Sequence, residues 1–349
     1  MDLGPFYTDV TAVVPDDPKC EEPWSPISAA RRLTAIAGHL PIAVDRAQFV
    51  PSNNNDVWHV GEVYLRVAWR GDRSRLAREA TVMDAVRDIV PVPEPLAVGG
   101  DESISWAISR SVPGRPLDHL CRPGSETRSG APGREPFAEL AGLLRQLHRW
   151  SPSSEIADLL TNRPGQDDTQ PMAIVGSDAV PLPLARAHAL IEPLKSISHV
   201  DHGVVDAAAG RLDDLADADH TNSARATGLI HGDVYLGNVL VDHGRVSGLL
   251  DFEFTRLGPP DLELISFIRA VDAERRLRIE RPPVLEWLRC DYPELFSAPD
   301  LDRRLWLYAL TYTLRQIIFW PPDRPEHDGL DPSHPVHTLR RLIDAPLPY

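Results

Sequence analysis

The sequence predicts an α+β fold of two lobes: a small, β-rich amino-terminal lobe and a larger, mainly helical carboxy-terminal lobe. The chain has 349 residues, enough to bury two separate hydrophobic cores. Residues 25–112 contain short segments in which apolar and polar side chains alternate, as they do in strands. Beyond Pro113 and Gly114 the apolar residues recur at helical spacing over longer segments. We therefore place the lobes at residues 1–112, with a leading segment 1–24, and at residues 113–349.

The amino-terminal lobe is predicted to begin with a short helix over residues 25–38. Ser25 stands at the N-cap position and Pro26 just inside the helix, where these residue types are favoured. The remaining predicted elements of this lobe are extended segments within 42–68, including a strand at Val63–Ala68, a helix over 75–88 and a strand over 104–109.

The carboxy-terminal lobe is predicted to be helical around one β-hairpin. Residues 137–150 form the clearest amphipathic helix, with apolar side chains at the spacing of one helical face. The hairpin strands are predicted at 239–241 and 246–250, joined by a turn at residues 242–244. The other predicted regions are loops over 151–182, helices over 183–216 and, from residue 262 onward, further helices interrupted by prolines.

Composition argues against several classes of protein. The net charge of −15 disfavours a nucleic-acid partner, which needs a basic surface; it favours a cationic ligand, although solubility explains it at least as well. The acidic first thirty residues and the lack of a long apolar run predict neither a secretory signal nor a membrane span. Cys20, Cys121 and Cys290 are far apart and odd in number, which argues against disulfides and zinc. We expect a cytoplasmic protein, monomeric or weakly dimeric.

One short stretch carries the chemistry. His231-Gly232-Asp233 is followed by Asn238 and, thirteen residues after Asn238, by Asp251-Phe252-Glu253. Phosphoryl transfer from a nucleotide needs a carboxylate that receives the proton of the attacking hydroxyl, and oxygen ligands that hold Mg²⁺ on the phosphates. We predict Asp233 as the catalytic base and Asn238 and Asp251 as the metal ligands. The intervening hairpin would bring both ligands to one ion.

This stretch resembles the signature of the aminoglycoside phosphotransferase (phosphotransferase enzyme) family, in which His-Gly-Asp replaces the His-Arg-Asp of protein kinases. Residues 257–264 and 143–148 are also similar to segments of this family. The resemblance implies a bilobal protein-kinase-like fold, Mg²⁺, ATP or GTP as phosphate donor, and a small hydroxyl-bearing acceptor that is often an antibiotic. It also implies that His231 anchors the catalytic loop by hydrogen bonding; the alternative is a catalytic histidine, which would need to reach the acceptor. We expect Glu263, at the start of a helix, to be a buried organiser of the same loop.

The amino-terminal lobe departs from the protein-kinase pattern. The position of the glycine-rich phosphate loop is filled by a polar run without glycine, and the strand lysine is replaced by Arg66, with Glu79 on the next helix as its natural partner. Short polar side chains tolerate tight turns and can present amides to phosphate. We predict that Arg66 grips the donor phosphates and that Glu79 orients its guanidinium. The alternative is that Arg66 and Glu79 form a merely structural ion pair. The predicted nucleotide-contacting residues of the polar run are Ser52, Asn53, Asn54 and Asn55.

The segment between the lobes is predicted to read the purine edge through its backbone groups. This segment consists of Ser109, Arg110, Ser111 and Val112. Because backbone contacts leave little trace in a sequence, the choice between ATP and GTP stays open. The acceptor is expected in the carboxy-terminal lobe, although packing explains the aromatic candidates equally well. The acceptor candidates are Asp272, Glu274, Trp287, Asp291, Tyr308, Tyr312 and Trp320.

Three functions compete at this point. The first is an O-phosphotransferase that modifies an antibiotic-like, hydroxylated and cationic acceptor. The second is a metabolic kinase of a sugar, an amino alcohol or an amino acid, which the motif does not distinguish from the first. The third is a catalytically silent kinase-like binding module, against which the intact Asp233, Asn238 and Asp251 argue.

Overall fold

A computed structural model gives the fold, and the chain divides at Pro113/Gly114 into two compact units, next to the predicted boundary. Among the described residues, no helix combines the length and the apolar character that crossing a bilayer requires. The structure describes residues 25–52, 55–69, 72–101, 103–121, 133–161, 182–197, 200–218, 228–277, 282–319 and 334–344.

The first unit is built on a five-stranded antiparallel sheet with the strand order β1-β2-β3-β5-β4. Helix α1 packs on one sheet face, where Leu65 and Ile108 belong to its core, and helix α2 packs on the other, where Leu76 meets Ala68 and Ala107. The elements are α1 (Pro26–Ile36), β1 (Gln48–Val50), β2 (Asp56–Val60), β3 (Val63–Ala68), α2 (Arg75–Val86), β4 (Pro95–Gly100) and β5 (Ser105–Arg110).

Most of these elements were predicted, and one strand was missed. The Ser25 hydroxyl caps α1 by accepting a hydrogen bond from the Ser28 amide at 3.1 Å, as the sequence indicated. Strand β4 was missed because its two glycines are typical of turns and not of strands. The structure explains one of them: a Cβ atom at Gly99 would lie 2.4 Å from the ring of Trp106, so the indole occupies the space of a side chain.

The second unit combines helices with two small antiparallel sheets, β6-β8-β9 and β7-β10. One core joins α6, α7 and α8 to α11 and α12. The elements are β6 (Arg115–Pro116), α3 (Leu117–Leu120), α4 (Glu135–Arg149), α5 (Ser154–Thr161), α6 (Leu184–Ala189), α7 (Ile191–Lys195), α8 (His202–Asp214), β7 (Gly228–Ile230), β8 (Val239–Asp242), β9 (Arg245–Leu249), β10 (Arg256–Gly258), α9 (Leu264–Leu277), α10 (Val284–Asp291), α11 (Leu301–Phe319) and α12 (Pro335–Asp344).

The amphipathic helix α4 is where the sequence placed it, and it supports the strands that carry the catalytic motif. It packs against β7 and β9. Its carboxy-terminal turn reaches Gly228, where a Cβ atom would lie 2.3 Å from the His148 carbonyl oxygen. The residues of its buried apolar face include Phe137, Leu140, Ala141, Leu144 and Leu147. The predicted α+β fold, a small sheet unit and a larger helical unit, is confirmed.

Candidate active site

The β8–β9 hairpin brings the two predicted metal ligands together. Val239 pairs with Leu249, and the turn residues His243 and Gly244 have φ angles of 46° and 80°, as tight two-residue hairpin turns require. At the open end the Leu250 amide donates a hydrogen bond of 2.8 Å to the Asn238 carbonyl oxygen. Asn238 and Asp251 therefore flank the same end of one hairpin, as the sequence predicted.

A buried imidazole joins the catalytic loop to this hairpin. His231 Nε2 lies 2.9 Å from the Leu250 carbonyl oxygen, which can only accept, so Nε2 carries the proton. Nδ1 then accepts a hydrogen bond from the Asp233 amide at 3.3 Å. Burial lowers the pKa of His231, which keeps the ring neutral. The side chain is completely buried, so it anchors the loop and does not reach an acceptor.

The second loop residue must be glycine. Gly232 has a φ of 85°, and a Cβ atom there would lie 2.5 Å from the Phe254 carbonyl oxygen. A side chain would therefore meet both backbone strain and a backbone collision. This contact explains in physical terms why the motif has glycine between His231 and Asp233.

The Glu263 carboxylate holds the backbone of the catalytic loop by accepting hydrogen bonds from its amides. Its fully buried carboxylate accepts a hydrogen bond from the His231 amide and lies 3.4 Å from the Gly232 amide. His148 Nε2 on α4 lies 3.5 Å from the same carboxylate, and His148 Nδ1 is 3.0 Å from the Tyr292 hydroxyl. The carboxylate thus joins the end of α4 to the loop that carries Asp233.

A buried ion pair holds the turn that carries Glu263. Asp261 lies in the same 3-10 turn, Pro260–Glu263, and accepts two hydrogen bonds from Arg304 of α11, at 2.7 and 2.8 Å. The Tyr308 hydroxyl donates to the same carboxylate at 3.3 Å. The prediction that Tyr308 contacts the acceptor is wrong, because its side chain is completely buried and supports Asp261.

Asp233 is partly buried and has the electrostatics of a base that works near neutral pH. Burial raises the pKa of Asp233 to about 6, and the nearby carboxylates of Glu253 and Glu263 also raise it, while the positive charge of Arg269 lowers it. The Asp233 carbonyl oxygen accepts a hydrogen bond from the Asn238 side-chain amide at 3.0 Å. The predicted base and the predicted metal ligand are thereby held in one loop.

Sequence reasoning missed Arg269 and Glu253. Arg269 lies on α9, and its guanidinium stacks on the ring of Tyr312 at 3.6 Å from the centroid. No local signal marks it, because an arginine on an amphipathic helix usually faces solvent. Glu253 stands inside the motif itself, but the sequence does not indicate that it is buried and that its charge acts on Asp233.

The donor atoms around the hairpin fit Mg²⁺. The Asn238 side-chain nitrogen is committed to the Asp233 carbonyl, which leaves its Oδ1 atom for a cation. Asp251 has φ 66° and ψ 68°, a left-handed conformation that is uncommon outside glycine and that recurs at functional sites. In the described ranges, no group of three His, Cys, Asp or Glu residues could hold a metal ion. Mg²⁺ commonly takes one or two protein oxygens and completes its shell with water and phosphate.

The first unit pairs Arg66, which is predicted to grip the donor phosphates, with Glu79, which is predicted to orient it. Arg66 of β3 forms an ion pair with Glu79 of α2. The Glu79 side chain is almost fully buried, whereas that of Arg66 is 19% exposed. The carboxylate is therefore fixed in the unit, and the guanidinium keeps an accessible surface.

Within the polar run before β2, Asn55 has a structural partner. Ser52 is exposed, and Asn53 and Asn54 lie outside the described residues. The side-chain oxygen of Asn55 is buried and accepts a hydrogen bond from Arg75. A phosphate contact by the Asn55 side chain would have to displace this bond.

Two backbone amides of the predicted purine-reading segment have partners within the first unit. The Arg110 amide donates to the Glu94 carbonyl oxygen at 2.9 Å, and the Ser111 amide donates to that of Glu62 at 2.8 Å. Ser109 is paired within the sheet, opposite Tyr64. The amides of Arg110 and Ser111 are thus committed within the first unit, and purine reading by the other backbone groups of Ser109, Arg110, Ser111 and Val112 stays a prediction.

The remaining acceptor candidates differ in their surroundings. Trp287 packs edge-on against Phe137 with ring centroids 4.8 Å apart, and Asp291 is ion-paired with Arg134 at 2.7 Å, so both have structural partners. Tyr312 is half-buried beneath Arg269, whose charge acts on Asp233. The side chains of Asp272 and Glu274 on α9, and the whole of Trp320, lie outside the described part of the chain.

Comparison with known proteins finds a family model that matches most of the chain. The model of the phosphotransferase enzyme family matches residues 46–292. No curated protein sequence matches the chain.

Many solved structures are similar in fold, and three of them are described here. A thermostable mutant of aminoglycoside phosphotransferase APH(4)-Ia, in ternary complex with ADP and hygromycin B, has 19% identity and a TM-score of 0.51, over 86% of this chain and 94% of that chain. A choline/ethanolamine kinase family protein from Mesorhizobium loti has 20% identity and a TM-score of 0.56, over 91% and 96%. Macrolide 2'-phosphotransferase MphH from Brachybacterium faecium has 16% identity and a TM-score of 0.51, over 93% and 100%.

At these identities the three structures establish the kinase-like fold alone. The family model, in contrast, matches residues 46–292, which is more than half of the chain and includes the five-stranded sheet, the loop with Asp233 and the β8–β9 hairpin. The chain therefore belongs to the phosphotransferase enzyme family.

Proposed function

We propose that this chain is a small-molecule O-phosphotransferase that moves the γ-phosphate of ATP or GTP onto a hydroxyl of an antibiotic-like acceptor. The observation that carries the proposal is the arrangement of one loop and one hairpin. Asp233, a carboxylate whose pKa burial raises to about 6, is hydrogen-bonded through its carbonyl oxygen to Asn238, and Asn238 flanks the same hairpin end as Asp251. A base beside two oxygen ligands is what phosphoryl transfer to an alcohol requires.

On the donor side, Asn238 Oδ1 and the Asp251 carboxylate would hold the metal ion. When bound, Mg²⁺ would neutralise charge on the donor phosphates and orient them. Arg66 would grip the same phosphates with its guanidinium, and the buried Glu79 carboxylate would fix the direction of that guanidinium. The relative crystallised with ADP and hygromycin B supports a nucleotide donor and a small-molecule acceptor.

On the acceptor side, the Asp233 carboxylate would accept the proton of the attacking hydroxyl. A base with a pKa near 6 is ionised at neutral pH, yet it is a stronger proton acceptor than an ordinary aspartate. The neutral His231 ring and the Glu263 carboxylate would keep the loop backbone fixed while the proton moves. These residues position Asp233 and do not exchange protons with the acceptor.

The proposal also names a class of acceptor. An antibiotic-like, cationic acceptor is supported by the net charge of −15 and by the likeness to aminoglycoside and macrolide phosphotransferases. The likeness to a choline/ethanolamine kinase family protein favours the second candidate, a metabolic kinase. A silent binding module is disfavoured because Asp233, Asn238 and Asp251 are all present.

The test is nucleotide consumption with a panel of acceptors: hygromycin B, a macrolide, choline and ethanolamine. Asp233→Asn is expected to lower kcat by about 10²-fold or more, because the base is lost, while the nucleotide KM changes little. Asp242→Asn is the matched control, since Asp242 lies at the hairpin turn, away from the open end that holds Asn238. Equal turnover by wild type and Asp233→Asn would refute the assignment of the base.

A further inference from the structure

Two side-chain pairs connect α2 to the five-stranded sheet. One is the ion pair between Arg66 of β3 and Glu79 of α2. The other is the hydrogen bond that Arg75, the first residue of α2, donates to the side-chain oxygen of Asn55, just before β2. The sheet supplies the cation in the first pair and the helix supplies it in the second. Two guanidinium groups and one carboxylate therefore lie between α2 and the sheet.

The strand register and the helical period place the two pairs side by side. Val57 of β2 lies opposite Arg66 of β3, and Asn55 comes two residues before Val57. Residues two apart along a strand face the same side, and diagonal neighbours on paired strands are about 7–8 Å apart. Arg75 and Glu79 are four residues apart on α2, so their Cβ atoms are about 5–6 Å apart on one face of the helix. Arg75 is therefore a neighbour of the Arg66–Glu79 pair.

The backbone next to Asn55 is held from the other face of the sheet. Asp56 is 4% exposed and accepts hydrogen bonds of 2.6 and 2.8 Å from Arg32 of α1 and one of 3.1 Å from the Trp69 indole. Asn55 is itself 7% exposed. The Asn55 side chain is therefore a fixed acceptor that orients the half-buried Arg75 side chain.

We propose that Arg75 is a second arginine of the donor-phosphate site, which binds the phosphates together with Arg66 while Asn55 holds the Arg75 guanidinium in place. This inference rests on the proposed function, because it needs a nucleotide whose phosphates Arg66 grips. The two pairs together carry two positive charges and one negative charge, an excess that suits an anion. Guanidinium groups bind phosphate oxygens by paired, charge-assisted hydrogen bonds, and a chain of two or three phosphates has enough oxygens for two arginines.

The experiment measures binding by titration calorimetry, so it needs no acceptor. Wild type, Arg75→Gln, Arg75→Lys, Asn55→Ala and the double variant Asn55→Ala/Arg75→Gln are compared. The probes are Mg·ADP with adenosine and Mg·GDP with guanosine, and the diphosphate that wild type binds more tightly is used with its nucleoside. The nucleoside has no phosphate, so its affinity reports whether a variant keeps its fold and its nucleoside site. Arg87→Gln is the matched control, because Arg87 caps the other end of α2 and forms an exposed ion pair with Asp84 at 3.0 Å.

We expect Arg75→Gln to weaken diphosphate binding about tenfold or more and to leave nucleoside binding within about twofold of wild type. Arg75→Lys should lose less, because lysine keeps the charge without the planar fork. Asn55→Ala should also weaken diphosphate binding, and it should add nothing in the Arg75→Gln background because Asn55 acts through Arg75. Arg87→Gln should stay within about twofold of wild type for both probes.

The inference is overturned if Arg75→Gln binds the diphosphate as wild type does, or if Arg87→Gln loses as much. It is also overturned by an equal loss for diphosphate and nucleoside, which would make Arg75 structural, and by additive losses in the double variant, which would separate Asn55 from Arg75. If wild type binds neither diphosphate, the proposed function fails and this inference with it. If wild type binds a diphosphate and Asp233→Asn abolishes transfer, but Arg75→Gln keeps the wild-type affinity, only this inference fails.

Discussion

Removing Arg304 isolates a buried carboxylate, and the consequence can be worked out from the structure. The side chains of Arg304 and Asp261 are 4% and 3% exposed and share two hydrogen bonds of 2.7 and 2.8 Å. In Arg304→Met, Asp261 would lose both hydrogen bonds from the guanidinium and would keep the one from the Tyr308 hydroxyl at 3.3 Å. Breaking a buried ion pair from one side costs about 3–5 kcal/mol, because the remaining charge stays out of water without a counterion.

The loss of the ion pair should lower the free energy of unfolding and the melting temperature. For a unit of this size, about 1 kcal/mol corresponds to roughly 2–4 °C, so the melting temperature should fall by about 6–20 °C. Urea unfolding and calorimetry measure both quantities. The double variant Asp261→Asn/Arg304→Met should recover much of the loss, because a neutral amide costs less to bury than a carboxylate.

The neighbouring residue supplies the control. Arg303 is partly exposed and donates a hydrogen bond to the Asp214 carbonyl oxygen at 2.7 Å, so Arg303→Met should cost about 1 kcal/mol or less. Arg304→Met should also lower kcat more than it raises the nucleotide KM, since the turn that holds Asp261 carries Glu263. Equal stability of the Arg303 and Arg304 variants would refute the reasoning.

Three further predictions concern the chemical centre. The rate should fall as the pH drops through about 6, because protonation of Asp233 removes the base. Arg269→Gln should move this acidic limb of the pH profile to higher pH, because the positive charge of Arg269 lowers the pKa of Asp233. A pH profile of kcat/KM for wild type and Arg269→Gln measures both effects. Asp251→Ala should weaken Mg²⁺-dependent nucleotide binding by removing a formal charge from the metal site, which a Mg²⁺ titration measures. Arg66→Ala and Glu79→Ala should each raise the nucleotide KM and should be non-additive when combined, because the two residues share one ion pair; steady-state kinetics of the three variants measure this.

A specific result would contradict each of these three predictions. An acidic limb that stays in place in Arg269→Gln would mean that its charge does not act on the working base. Unchanged Mg²⁺ titrations for Asp251→Ala would remove Asp251 from the metal site. Full activity in Arg66→Ala would make the Arg66–Glu79 pair structural.

The sequence alone determined the elements that depend on neighbouring residues. The hairpin after Asn238 follows from alternating apolar residues and a turn containing His243 and Gly244, and the helix that ends near His148 follows from its apolar spacing. The motif was recognisable because that hairpin brings together the two predicted metal ligands, Asn238 and Asp251. The pairing of Arg66 with Glu79 was also predictable, because a strand and the next helix carry them.

The tertiary structure alone decided which charged and aromatic residues surround the base. Arg269 acts on Asp233 from a helix more than thirty residues later in the chain, and Tyr308 is buried against Asp261 although its sequence context does not distinguish it from a surface tyrosine. The pKa of Asp233 likewise depends on burial by distant segments. Local patterns encode the period of helices and strands, whereas burial and long-range charge pairing arise only when separate elements pack together.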